Sequence, residues 1–353
     1  MRIYDFFGSF LCIFANKLNL ANSFEWIIMK KLSILVAAIA MTLAACSKDG
    51  PVTPDAGEST VTILMSEEAA QMRADIKAAG GQKYIFTEET WPVLMEYLQS
   101  QSEQEYPEVE TMHRQGHMVI ADNDVYTLEN DNADCLVIYL HGGAYCFGIL
   151  DSHIEFCDKL AQRMNAKVYM PLYPILLKSI CLDAFRFLQG VYAEALREGK
   201  PVVLMGDSSG GGLALAFAES LRDSGVPMPE GLVLLSPWID VTMTNPAIPA
   251  LEEGDFILSA YGLAGLGKLW AGELDVRDSR VSPLYGSMAG LPPTLIFCGT
   301  DEILRPDITL LHEKMKAAGT KSRLIIGEGL WHVFPSYDIP ERDICIDMIA
   351  TGL

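Results

Sequence analysis

Basic residues are scarce in this sequence. Its 353 residues include 26 lysines and arginines against 46 aspartates and glutamates, so the formal net charge is −20 at pH 7. Proteins that bind nucleic acid present clustered basic surface to the phosphate backbone. We therefore expect no nucleic-acid partner. Half of the residues are hydrophobic, which is enough for a large core and argues against a disordered chain.

Residues that hold metals and phosphates are also sparse. The six histidines are dispersed, and the eight cysteines show no C-x-x-C spacing. The Gly-rich stretch at residues 206–212 lacks the lysine of a phosphate-binding loop. We therefore expect no metal, no nucleotide and no other cofactor.

The first 45 residues have the composition of a targeting leader. Lys30 and Lys31 precede a short apolar run, and the segment ends at Leu43-Ala-Ala-Cys46. This pattern resembles a bacterial lipoprotein signal, which implies cleavage before Cys46 and attachment of lipid there. An ordinary secretory signal or an uncleaved anchor is the alternative. Because this signal is complete from Met29, we expect residues 1–28 to lie upstream of the true start.

Processing of this kind predicts a protein of the bacterial cell envelope that contacts the membrane through lipid on Cys46. Residues 46–60 include two prolines and two glycines and are typical of a tether. We expect the folded domain to occupy residues 61–353. The cysteines left in it are predicted to be mostly buried small hydrophobes, with any disulfide pairing left open.

Strand and helix patterns alternate through the domain. Strand-like runs occur near residues 117–121, 124–128, 136–140, 167–172, 202–205, 232–235, 294–298 and 322–326, with helical patterns between most of them. This alternation predicts an α/β fold with an eight-stranded, mostly parallel sheet and helices on both faces. Residues 241–270 interrupt the rhythm. We interpret them as part of a helical cap, with residues 61–100 as its other part.

Gly206-Asp-Ser208-Ser-Gly210 lies between a strand pattern and a helix pattern. In that setting the Gly-x-Ser-x-Gly pentad is typical of a nucleophile elbow. By itself the pentad is equally a Gly/Ser-rich turn.

Reactive groups follow three further strands, and the carboxyl ends of parallel strands meet at one edge of a sheet. These groups are His141-Gly-Gly, Asp301-Glu302 and His332. A base that follows both nucleophile and acid in the chain is either His312 or His332. His312 falls within a helix pattern, where a partly solvated face is expected, so His332 is favoured. Asp301 is nearest its strand end and is the predicted acid; Glu302 and Asp307 are interpreted as caps or surface charge.

Together these motifs resemble the hormone-sensitive-lipase-like branch of the α/β-hydrolases. The resemblance covers residues 61–353 and rests on six segments: His141-Gly-Gly-Ala-Tyr145, Gly206-Asp-Ser-Ser-Gly-Gly-Gly-Leu-Ala214, Leu235-Ser-Pro-Trp-Ile-Asp240, Val281-Ser-Pro-Leu-Tyr285, Gly299-Thr-Asp-Glu-Ile-Leu304 and Gly329-Leu-Trp-His-Val-Phe334. It implies an eight-stranded sheet, a helical cap and cofactor-independent ester hydrolysis, with Ser208, Asp301 and His332 as catalytic triad. It also implies an oxyanion hole formed by the backbone N–H groups of Gly142, Gly143 and Ser209.

The sequence departs from that family after Tyr173, where it continues Pro-Ile-Leu-Leu-Lys178. The expected substrate is a small ester with a short or medium acyl chain, such as an acetylated sugar or another imported ester. An amidase or formamidase with the same triad is one alternative. A catalytically silent binding protein on the same fold is another.

Overall fold

The fold is built around one mostly parallel sheet. The structure is a computed structural model and describes residues 59–83, 87–100, 104, 106–176 and 179–352. The predicted leader, Cys46 and tether residues 46–58 lie outside the described residues. The α/β fold is confirmed, but the sheet has nine strands rather than the expected eight.

The eight predicted strands are all present, and an additional strand precedes them. In chain order the strands are β1 (Thr60–Leu64), β2 (Arg114–Ile120), β3 (Asn123–Glu129), β4 (Cys135–Leu140), β5 (Ala166–Pro171), β6 (Val202–Asp207), β7 (Gly231–Leu235), β8 (Thr294–Gly299) and β9 (Ser322–Glu328). Their order across the sheet is β1-β9-β8-β7-β6-β4-β5-β3-β2. Strands β2 and β3 are antiparallel to their neighbours, and the other pairs are parallel.

Strand β1 is the one that sequence reasoning missed, because residues 61–64 were assigned to the cap and Thr60 to the tether. It pairs in parallel with β9, from Thr60 opposite Leu324 to Leu64 opposite Glu328. Val61 and Ile63 are buried, whereas Thr60, Thr62 and Leu64 are exposed, which is the alternation of a half-buried strand. Just beyond β1, the Ser66 hydroxyl donates to the Glu341 carboxylate at 3.1 Å.

Helices lie between most of the strands and in both segments of the predicted cap, as the alternation and the cap interpretation predict. They are α1 (Glu67–Ala78), α2 (Trp91–Ser100), α3 (Asp151–Met164), α4 (Cys181–Arg197), α5 (Ser208–Asp223), α6 (Ile248–Glu252), α7 (Ala260–Ala271), α8 (Arg305–Ala317) and α9 (Pro340–Gly352). Among the described residues, none of these helices is long and apolar enough to cross a membrane.

The two segments of the predicted cap contact each other. The backbone N–H groups of Gln82 and Lys83, after α1, donate to the carbonyl oxygen of Phe256 at 2.8 and 3.3 Å. The ring of Trp91 on α2 meets that of Tyr261 on α7 edge to face, with centroids 6.1 Å apart. The described residues of 65–100 therefore contact those of 241–270, and these two segments together are called the cap.

The six described cysteines carry free thiols, and all but the half-buried Cys135 are buried. Burial raises the pKa of the Cys181 thiol to about 12. The reactive form of a cysteine is its thiolate, so these side chains act as small apolar groups in the core.

Helix α5, which carries the predicted nucleophile, also holds a buried carboxyl group far along its length. Glu219 is 3% exposed, and its Oε1 atom has no hydrogen-bond partner among the described residues. Burial raises the pKa of Glu219 from its usual 4.5 to about 8, against the opposing charges of Arg222 and Lys314. The folded protein therefore holds a proton there that the unfolded chain releases near pH 4.5.

We expect Glu219→Gln to flatten the pH dependence of stability. Because the folded-state pKa is raised, the contribution of Glu219 is complete below about pH 4.5 and is lost as the pH rises through about 8. The melting temperature of the wild type should fall relative to that of Glu219→Gln between pH 5 and 9, as measured by circular dichroism. Glu230→Gln, at an exposed site, is the control and should follow the wild type. Parallel profiles for all three proteins would refute this interpretation.

Candidate active site

Ser208 stands at a sharp turn where β6 ends and α5 begins. Its backbone φ is +50°, a left-handed conformation that is uncommon for a residue with a side chain. The turn is closely packed: a Cβ on Gly206 would lie 2.4 Å from the Gly210 oxygen, and one on Gly210 would lie 2.0 Å from the Leu140 oxygen. The backbone therefore has the geometry of a nucleophile elbow, as the pentad predicts.

His332 lies in the loop after β9 and faces Ser208, as elimination among the histidines predicted. Its Nε2 atom is 2.9 Å from the Oγ of Ser208. The neighbouring N–H of Val333 donates to Ser236 Oγ at 3.0 Å, which anchors the loop to the end of β7. Both Ser208 and His332 are buried, at 8% and 6% exposure.

The acidic partner of His332 is Glu302, and the prediction of Asp301 is wrong. The Nδ1 atom of His332 lies 2.7 Å from Oε2 of Glu302. A carboxylate can only accept, so Nδ1 carries the proton and Nε2 is free to accept from the Ser208 hydroxyl. Asp301 points elsewhere and forms an ion pair with Arg73 of α1.

The loop after β8 explains this choice of side chain. The N–H of Thr300 donates to the Gly327 oxygen at 2.9 Å, and that of Asp301 to the Leu330 oxygen at 3.0 Å. Thr300 and Asp301 thus run beside the histidine loop beyond the strand end. Glu302 is the next residue, and its longer side chain reaches His332. Glu302 is 0% exposed, so its charge requires internal partners.

Those partners are all present. Oε1 of Glu302 accepts from the Ser236 hydroxyl and from the Gly299 N–H, both at 2.8 Å, while Oε2 faces His332. The buried carboxylate is therefore hydrogen-bonded through both oxygens and held in one orientation. A carboxylate held in this way can orient the imidazole and stabilise the positive charge that it gains during the reaction.

Asp207, directly before the nucleophile, ties the elbow to the loop after β4. Its Oδ1 accepts from the Tyr139 hydroxyl at 2.6 Å and from the Gly142 N–H at 2.7 Å. Its Oδ2 is 3.5 Å from Nε2 of His153. Burial raises the pKa of Asp207, but His153, Tyr139 and Gly142 outweigh burial and hold it below its usual value.

The Gly142 N–H is therefore not free to bind an oxyanion, which corrects one of the three predicted donors. Among the described residues the N–H groups of Gly143 and Ala144 have no acceptor. The loop runs through three consecutive positive φ values, 114° at Gly143, 52° at Ala144 and 61° at Tyr145. The Ser209 N–H lies in the first turn of α5, where backbone donors lack helical acceptors. Gly143, Ala144 and Ser209 are thus the available donors.

This arrangement can be compared with known proteins. A family model described as alpha/beta hydrolase fold matches residues 137–336, which is more than half of the chain. The chain belongs to the α/β-hydrolase family.

Similar proteins of this family are hydrolases by name. An esterase from Acinetobacter venetianus is 33% identical over 225 residues, which cover 62% of this chain and 74% of that protein. An acetyl-hydrolase from Streptomyces hygroscopicus is 30% identical over 252 residues, covering 67% and 84%. The solved structure of an esterase from the bacterial hormone-sensitive lipase family has a TM-score of 0.69 at 26% identity and covers 82% and 97%. The resemblance to that branch is confirmed.

His141 of this α/β-hydrolase supports the oxyanion loop. Its Nδ1 atom donates to the Gly142 oxygen at 2.7 Å, and its ring stacks on Tyr173 with centroids 4.4 Å apart. The Tyr173 hydroxyl donates to the His141 oxygen at 2.6 Å. Burial lowers the pKa of His141 to about 4, so the ring is neutral at pH 7. The unusual segment after Tyr173 thus begins beside this loop, although Leu177 and Lys178 lie outside the described residues.

His312 is buried rather than partly solvated, at 1% exposure, and its Nδ1 lies 2.9 Å from the Ser322 hydroxyl. It packs between α8 and β9, away from Ser208.

Ser236 and Arg73, which contact Glu302 and Asp301, were not anticipated. In the sequence, Glu302 directly precedes the apolar pair Ile303 and Leu304. Both of these residues are buried in the structure.

The assignment of the acid predicts a large difference between two neighbouring substitutions. We expect Glu302→Gln to slow phosphonylation of Ser208 by a fluorophosphonate about 10³-fold, because His332 loses its orienting carboxylate. Asp301→Asn should stay within about fivefold of the wild type, because a partly exposed ion pair contributes only about 0–1 kcal/mol. Rates can be followed by mass spectrometry of the intact protein. A larger effect for Asp301→Asn than for Glu302→Gln would instead identify Asp301 as the acid.

Proposed function

We propose that this protein hydrolyses esters of short- to medium-chain carboxylic acids through an acyl-enzyme on Ser208. The observation that carries the proposal is the continuous hydrogen-bonded series from Ser208 Oγ to His332 Nε2, and from His332 Nδ1 to Glu302 Oε2. The broader class is established: the chain is a carboxylic ester hydrolase, with relatives named esterase and acetyl-hydrolase.

Acylation follows from the positions of these groups. A serine hydroxyl is a weak nucleophile, so His332 takes its proton as Oγ bonds to the ester carbonyl carbon. The carbonyl oxygen becomes an oxyanion and is stabilised by the N–H groups of Gly143, Ala144 and Ser209. Removal of one such donor typically costs about 3 kcal/mol of barrier. His332 then protonates the alcohol oxygen as the carbon–oxygen bond breaks, which leaves the acyl group on Ser208.

Deacylation repeats this sequence with water. His332 removes a proton from a water molecule whose oxygen attacks the acyl carbon, and then returns a proton to Ser208 Oγ as the acid leaves. Glu302 accepts no proton in either half. It orients the imidazole and stabilises its charged form.

The preference for short acyl groups is supported by the confined surroundings of the nucleophile. Ser208 and His332 are each less than 10% exposed. Tyr145, whose N–H donates to the Ser209 side chain at 3.3 Å, stacks on Trp270 with centroids 4.0 Å apart, and both rings are buried. The name of the Streptomyces hygroscopicus relative points to acetyl groups. Acetylated sugars and other imported esters are the substrates we propose within this class.

A series of p-nitrophenyl esters from acetyl to palmitoyl tests this proposal. We expect kcat/KM to be highest for the shortest acyl chains, and Ser208→Ala to lose at least about 10⁴-fold of it. The matching p-nitroanilides should react far more slowly. A maximum at palmitoyl would indicate a lipase, faster anilide turnover would indicate an amidase, and activity retained in Ser208→Ala would refute the mechanism. A folded protein without Ser208-dependent turnover would favour the silent binding protein.

We also propose that the protein is anchored in the bacterial cell envelope by lipid on Cys46, on the basis of the Leu43-Ala-Ala-Cys46 motif. In a bacterial host fed an alkyne-tagged palmitate, the wild type should become labelled and float with membranes, whereas Cys46→Ser should not. Cys135→Ser is the matched control, because it removes a thiol outside the motif and should leave labelling unchanged. Equal labelling of Cys46→Ser would exclude the anchor.

A further inference from the structure

Asp255 is a buried carboxyl group in the cap that the mechanism above does not use. It lies between α6 and α7 and is 2% exposed. Its Oδ1 accepts from the N–H groups of Ile257 and Leu258, both at 2.8 Å, which closes a local turn. Its Oδ2 reaches out of the cap and accepts from the Ile303 N–H at 2.9 Å.

The Ile303 N–H belongs to the peptide that follows Glu302. Asp255 fixes the backbone at one end of Glu302. The hydrogen bonds from Gly299 and Ser236 fix the carboxylate at the other end. The backbone and the side chain of the acid are therefore held from two separate parts of the chain. A triad acid displaced by 1 Å can no longer orient its histidine well, and errors of this size lower turnover considerably.

Burial raises the pKa of Asp255 to about 6, and its three backbone donors and His332 act in the opposite direction. Near neutral pH the carboxylate form thus predominates, and both of its oxygens accept hydrogen bonds from the backbone.

Asp255 lies where the cap contacts the histidine loop. The Phe256 ring lies 6.0 Å from that of Trp331, which precedes His332. Charged groups on the elements packed here include Arg73, which pairs with Asp301, Lys77, whose ammonium lies 5.0 Å from the Phe256 ring, and Lys83 and Glu252, which pair with each other at 3.7 Å. Among the described residues, none of these groups has a hydrogen bond or ion pair with Asp255.

We propose that Asp255 is a positioning residue of the active site, which fixes the Glu302–Ile303 peptide and so keeps the Glu302 carboxylate aligned with His332. This inference rests on the proposed function of Ser208, His332 and Glu302. It assigns to the cap a part in catalysis.

The test is Asp255→Asn in the purified full-length protein with p-nitrophenyl acetate. The amide oxygen can still accept from Ile257 and Leu258, but its NH₂ group then faces the Ile303 N–H, so only the link to the acid loop is lost. We expect kcat to fall about 10- to 100-fold with KM within about twofold.

Asp240→Asn is the matched control. Asp240 is also buried, directly precedes the cap segment and caps the Thr242 N–H at 2.9 Å, but among the described residues it has no hydrogen bond to the loops of Glu302 or His332. Its kcat should stay within about twofold of the wild type. If Asp255→Asn does not fold, Asp255→Ser serves instead, because a hydroxyl can cap the turn.

A second measurement is independent of turnover. The proton between His332 Nδ1 and Glu302 should give a low-field NMR resonance that disappears in Glu302→Gln. We expect Asp255→Asn to shift or broaden this resonance and Asp240→Asn to leave it unchanged. Identical kinetics and spectra for Asp255→Asn and Asp240→Asn would overturn the proposal. If the wild type did not hydrolyse esters, the proposed function would be refuted instead. The NMR comparison does not depend on turnover and would still test the role of Asp255.

Discussion

The buried carboxylate of Glu302 is the constraint on which the rest of the site depends. A charge with no exposure to water is stable only if its oxygens are fully hydrogen-bonded, and the surrounding loops supply those bonds. Ser236, Gly299 and His332 come from the ends of three adjacent strands, β7, β8 and β9. The requirement to satisfy one charge thus aligns three loops, and the same alignment brings His332 to Ser208.

A second buried carboxylate organises the opposite half of the site. Asp207 binds the Gly142 N–H and the Tyr139 hydroxyl, so the elbow and the loop after β4 share one anchor. The bond to Gly142 leaves the next N–H groups along this strained loop available for an oxyanion. Nucleophile activation and oxyanion binding are therefore held by separate carboxylates on either side of Ser208.

The sequence was sufficient for the fold and for the nucleophile and base, because these depend on patterns that only a few residues can satisfy. A Gly-x-Ser-x-Gly between strand and helix is such a pattern, and His332 was one of only two candidates for the base. The acid could not be identified from such a pattern. Asp301 and Glu302 are adjacent, and the choice depends on how far the chain continues beyond β8 before it turns, which is set by hydrogen bonds to residues 327–330. Gly142 shows the same limit, because its N–H is occupied by a side chain 65 positions away. Strand β1 carries a visible alternation, but its five residues become a strand only by pairing with β9.

The pairing of β1 with β9 has a consequence for the order in which the chain acquires its structure. Thr60 and Leu324, which lie opposite each other in this pairing, are 264 positions apart. During synthesis β1 leaves the ribosome long before its partner exists, and it remains an unpaired, alternating apolar segment while the intervening domain is made. Closing so large a loop carries an entropic cost that only a preformed sheet edge can offset. Strand β1 should therefore be the last to join the sheet, and a nascent chain that stalls before β9 would leave it free to pair with other chains.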